Sequence, residues 1–239
     1  MADRFEMFEA AGERADEDDI SRLPREFDDC MTTTGLLVAV VAAADEKKGA
    51  DIEVFLDREN RLYELVDLFN SMGLNCVVQH DPDESFVRNM AGVYGMEDDF
   101  EMLERDFHAR LFMTREPYGT EFFRELMEMD KGPEYHRRYG EFLGLPEKDI
   151  EAFVYDQKPT WKRVLGSILG SPEPGAILES EALEKYGEGL EEHEKKVFKT
   201  FTFGKIRDTR EGFKEALERA RSRAEALEEL GIDTSRFME

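Results

Sequence analysis

Cysteine is almost absent. Cys30 and Cys76 stand alone in 239 residues, with no CxxC pair and no zinc-type spacing. A disulfide framework and a thiolate metal centre are therefore not expected, and the two thiols read as reduced and packed. Lysine is scarce beside arginine, 12 against 20. Long apolar runs are missing too. The longest covers residues 36–44, far short of the ~20 residues that span a bilayer. Its acidic flanks and its distance from the first residue do not fit a secretory signal. The chain has no GxGxxG, Walker A, GxSxG, HExxH or EF-hand pattern, so no motif specifies a cofactor. The aromatic residues lack the basic interleaving of a single-strand binder.

Acid is what the chain has in excess. The 56 Asp and Glu outweigh 32 Lys and Arg, giving −24. That balance opposes nonspecific binding to nucleic acid and to anionic membranes. An acidic, Lys-poor surface suits molar salt, where the screening length falls to about 3 Å. The expectation is a cytosolic protein of a salt-accumulating halophile; the alternative is an ordinary acidic cytosolic protein. With 41% hydrophobic residues the chain can still build a core.

Residues 1–30 read as an acidic arm, loosely docked, with a short helix from Arg4 to Ala11. Residues 36–41 alone could be a buried strand. Thr32-Thr33-Thr34 before them, alanines after them and Gly49 beyond favour a core helix. Residues 51–56 alternate as a strand, 58–72 carry a helical apolar face, and 74–79 form a second strand. This predicts a βαβ unit with parallel strands. Helices are expected near 82–93 and 98–106, a third strand at 108–113 and a helix at 119–129. Further helices follow at 147–155, from 159, at 176–186, at 191–201 and at 210–230. The expected fold class is α/β, with a sheet of about three partly parallel strands and a mainly helical C-terminal region. The expected divisions are 1–30, an α/β core at 31–170 and a helical extension at 176–239. Residues 170–175 are rich in Gly and Pro and read as a linker.

Parallel strands would bring three strand ends together. His80, Asp81 and Asp83 form the most metal-like cluster, while Asp57, Thr114 and Arg115 could hold a ligand or anion. The competing role for Asp57, Asp81 and Glu84 is helix capping. His136 and Arg137 lie on a predicted helix before Leu143-Gly144-Leu145-Pro146. His136, like His80, is a candidate acid or base, and Arg137 a candidate anion clamp. The alternative is an exposed edge that pairs with nearby acids. Gly140 is expected to allow close helix packing, with Gly144 and Pro146 ending one helix and aiming the next.

The strand at Ala109–Met113, then Thr114-Arg115-Glu116, His136, Gly140, Leu143-Gly144-Leu145-Pro146 and Phe153, resembles an uncharacterised archaeal family. Its members carry a Gly-x-x-Leu-Gly-Tyr-Pro segment, often followed by cysteines. Here Leu145 replaces the Tyr, and Glu147-Lys148-Asp149 stand in place of cysteines. Any thiol chemistry of such relatives would not transfer.

Two functions are expected from this reading. The first is a non-catalytic protein that binds a small ligand or a protein partner, including a homodimer through the stripe Phe213, Leu217, Ala220, Ala224 and Leu227. The second is a metal- or phosphate-dependent enzyme at the strand ends.

Overall fold

The computed structural model describes residues 5–11, 17–44, 47–80, 107–157 and 174–238. They fall into two compact units, Met1–Met127 and Glu128–Glu239. The division comes well before the expected linker near 170, so the helices on either side of Gly144 belong to the C-terminal unit.

The N-terminal unit is built on a four-stranded sheet. β1 is Phe5–Phe8, β2 Gly49–Leu56, β3 Asn75–His80 and β4 Phe107–Thr114. Their order is β1-β3-β4-β2, and every pairing is antiparallel. The expected three-stranded, partly parallel sheet is corrected on both counts. β2 and β3 do run in the same sense around the intervening helix, but β4 lies between them in the opposite sense, as in a split βαβ arrangement. Alternation in sequence marks a strand and its faces; it does not encode which strands become neighbours.

Within the first thirty residues, the described segments 5–11 and 17–30 pack onto the unit. Phe5–Phe8 pairs along β3 as an edge strand instead of forming a helix. Helix α1, Glu17–Glu26, buries Ile20 and Leu23, and Phe27 follows them into the core.

The ambiguous segment is helix α2, Thr33–Ala43. The Thr32 hydroxyl accepts from the Gly35 N–H at 3.0 Å, as an N-cap should. Leu36 through Ala43 are all buried, and a helix apolar on every side belongs inside. It ends at Ala43, with Ala44 as its C-cap. Helix α3, Glu59–Ser71, buries Leu62, Leu65, Val66 and Phe69. Burial of each such side chain stabilises by about 1.5–3 kcal/mol. Helix α4, Thr120–Glu128, closes the unit, stacking Phe123 on Phe112 of β4 with centroids 4.5 Å apart.

In the C-terminal unit, α5 is Pro133–Phe142 and α6 is Glu147–Asp156. Their junction is a Schellman turn. The Leu145 N–H donates to the Gly140 carbonyl at 2.9 Å and the Gly144 N–H to the Glu141 carbonyl at 3.0 Å. Gly144 has φ of 69°, a conformation glycine adopts without strain. A Cβ on Gly140 would sit 2.8 Å from Ile150 Cγ1, so that glycine lets α5 and α6 close up.

Among the described residues there follow β5 (Ala176–Ile177), α7 (Glu179–Tyr186), α8 (Glu192–Phe201), β6 (Ile206–Arg207), α9 (Arg210–Glu229) and a 3-10 turn at Thr234–Phe237. β5 and β6 pair antiparallel. The α9 stripe of Phe213, Leu217, Ala220, Ala224 and Leu227 is buried in its own unit. Phe213 and Leu217 join a core cluster with Ala182, Phe198 and Ile206. Those side chains are therefore engaged in the core of their own unit. Among the described residues no helix is long and apolar enough to cross a membrane.

Candidate functional site

The expected convergence of strand ends does not occur. Gly49 pairs with Thr114, and Leu56 pairs with Phe107. The C-terminal end of β4 thus lies at the opposite edge of the sheet from Asp57, roughly 20 Å away at about 3.3 Å per residue. Asp57 follows β2 and His80 ends β3, two strands of the same sense, so they share one end of the sheet, whereas Thr114 and Arg115 lie at the other.

Arg115, Thr114 and His80 each have a local task. The Arg115 guanidinium donates to the Met72 carbonyl at 2.8 Å and to the Ala43 carbonyl at 3.0 Å. Those carbonyls end α3 and α2, so Arg115 caps two helix C-termini at once. Thr114 Oγ1 donates to the Lys48 carbonyl and accepts from the Glu116 N–H. His80 lies 3.2 Å from Glu6 of β1 as a cross-strand pair. Asp57 is exposed, and α3 has Arg58 as its N-cap position with no side-chain cap. Asp81 and Asp83 lie outside the described residues. Among the described residues no group of three His, Cys, Asp or Glu could hold a metal.

His136 and Arg137 lie on α5. His136 is half-buried and meets the Phe153 ring edge-on at 4.8 Å. Burial pushes its imidazole below the ordinary value, against a hydrogen bond with the Lys131 backbone. Arg137 pairs with Glu151 through two hydrogen bonds, the shorter 2.6 Å. It is an α5–α6 link on the surface. Both cysteines are buried and neither forms a disulfide, and burial pushes the Cys76 thiol well above its ordinary value.

The unexplained chemistry lies on one face of the sheet. Glu53, Arg110 and Gln79 occupy one register row across β2, β4 and β3. Asp51 and His108 stand two positions to either side and share that face. Arg110 forks onto Asp51, its Nε donating to Oδ1 at 2.8 Å and its Nη2 to Oδ2. The pair is nearly buried, with Arg110 over the Phe112 ring at 4.9 Å. His108 stacks on Phe55 with centroids 4.7 Å apart and planes 7° apart. Its Nε2 stops 3.7 Å from Glu53 Oε2, beyond hydrogen-bond reach.

Three buried side-chain atoms here have no hydrogen-bond partner: Glu53 Oε1, Gln79 Oε1 and His108 Nε2. Each such atom costs about 1–3 kcal/mol. Three in one patch form a demand for a bound polar group. Two of them are acceptors only. The patch also carries two carboxylates against one guanidinium, so it would welcome a donor with positive charge.

Nothing local in the sequence marks this patch: His108 has no partner nearby in the chain, and Glu53 and Gln79 stand at alternating strand positions. Comparison of the chain with family models, with curated proteins and with solved structures found no match.

Proposed function

We propose that the protein binds a small ligand bearing N–H donors and a positive charge, such as a primary ammonium, on the Glu53–Gln79–His108 face of its sheet. The observation that carries this reading is the trio of buried polar atoms without partners. The Asp51–Arg110 fork holds the central row in place, so the acceptors are arranged before a ligand arrives. The acidic composition supports a cytosolic, high-salt setting for this binding.

Calorimetric titration with ethanolamine, putrescine and arginine tests it. Saturable binding is expected for at least one. Glu53→Gln should weaken it about tenfold, the equivalent of about 1.4 kcal/mol. No binding across the panel, with ordered water on all three atoms in a crystal, overturns the reading. The proximity of His108 to Glu53 favours a second, catalytic reading, in which the pair moves a proton. Turnover of a bound amine that is lost in His108→Gln, with binding kept, would select it.

A further inference from the structure

We infer that the C-terminal unit holds a second site, for one small anion of chloride size, in a pocket between α9 and the loop that leads into β6. Among the described residues, Thr202, Lys205, Arg219, Arg223 and Asp149 contribute to its lining. Three cations against one carboxylate is a marked reversal in a chain whose net charge is −24.

The carboxylate is already engaged. Asp149, 4% exposed, accepts from Arg219 Nη2 at 2.8 Å and from the Arg207 backbone N–H at 3.3 Å. One Arg219 nitrogen is thereby used, and the guanidinium keeps further donors. Arg223 is held by the Phe201 carbonyl at 2.8 Å and lies over the Phe203 ring. The Lys205 ammonium faces the Phe153 ring at 5.6 Å. No carboxylate among the described residues lies within ion-pair distance of it, although the chain has 56. The Thr202 hydroxyl is buried and has no hydrogen-bond partner. A hydroxyl donor, an ammonium and two guanidinium groups are what an anion binds.

Size decides which anion. The space among these side chains is about that of one water-sized particle. A monatomic halide is the anion nearest that size, and a phosphate or a nucleotide is far larger. Binding there would offset the repulsion among the cations around Asp149. It would tie the stability of this unit to chloride itself and not only to ionic strength.

The test uses the full chain in potassium chloride and in potassium gluconate at matched ionic strength, with chloride-35 NMR linewidths as a direct readout. Wild type should unfold several degrees higher in chloride and broaden the chloride line, and bromide should reverse the broadening. Lys205→Met should abolish both effects. Thr202→Val, nearly isosteric, should reduce the broadening several-fold and gives the answer if Lys205→Met does not fold. Equal unfolding temperatures in the two salts overturn the inference, as does broadening unchanged in Thr202→Val. Displacement by phosphate but not by bromide overturns the size assignment.

Discussion

Arg115 illustrates how a residue suited to an anion can be consumed by structure. The C-termini of α2 and α3 both present carbonyls with no intrahelical partner. One guanidinium reaches both, and the helix dipoles favour its charge there. Arg115→Met should lower unfolding stability in urea by about 2–3 kcal/mol, since hydrogen bonds to a charged group are worth about 1.5–3 kcal/mol. Arg115→Lys should recover only part, because an ammonium lacks the planar fork.

His136 gives a pH dependence of definite sign. Its folded imidazole titrates below the ordinary value because of burial. The unfolded chain then binds a proton first. Stability from this group is complete above the ordinary value, near 6.5. It falls as pH drops from there towards the depressed folded value, and then levels. Urea midpoints between pH 8 and pH 5 should show this component in wild type and lose it in His136→Gln. Superposed profiles would rule it out.

The α5–α6 corner was legible because its signals are local. Gly144 and Pro146 mark a left-handed turn and a restart two residues apart. The tight packing of Gly140 on Ile150 follows from that geometry. Gly140→Ala should destabilise by about 1–3 kcal/mol through overpacking, measured by thermal unfolding. Combining it with Ile150→Ala should cost less than the sum of the two single changes, since the new methyl then has space. α9 was equally legible as a helix, with the Thr209 hydroxyl accepting from the Gly212 N–H at its start. Its stripe spacing suits a dimer seam and an internal core alike, and burial decided for the core.

At the scale of the chain, charge dominates. A net −24 repels itself over about 10 Å in 0.1 M salt, and over about 3 Å in 1 M. Cooperative unfolding followed by circular dichroism should move to markedly higher temperature as potassium chloride rises from about 0.1 M to about 2 M. An unchanged midpoint would refute the high-salt reading. Screening is common to all potassium salts, so its effect separates cleanly from a chloride-specific one.

By itself the sequence determined the class of the fold, the position of most described helices and of the strands β2, β3 and β4, the Gly144 corner and the scarcity of reactive thiols. These rest on caps, periodicity and turn residues, whose physics acts within a few positions along the chain. Strand order and sense were decided only in three dimensions. The placing of Arg115 on carbonyls 43 and 72 residues away was decided there too, as was the meeting of Glu53, Gln79 and His108. Alternation puts a side chain on a face, but only the pairing of β2 and β3 on either side of β4 sets which polar atoms on that face become neighbours, and which of them are buried without a partner.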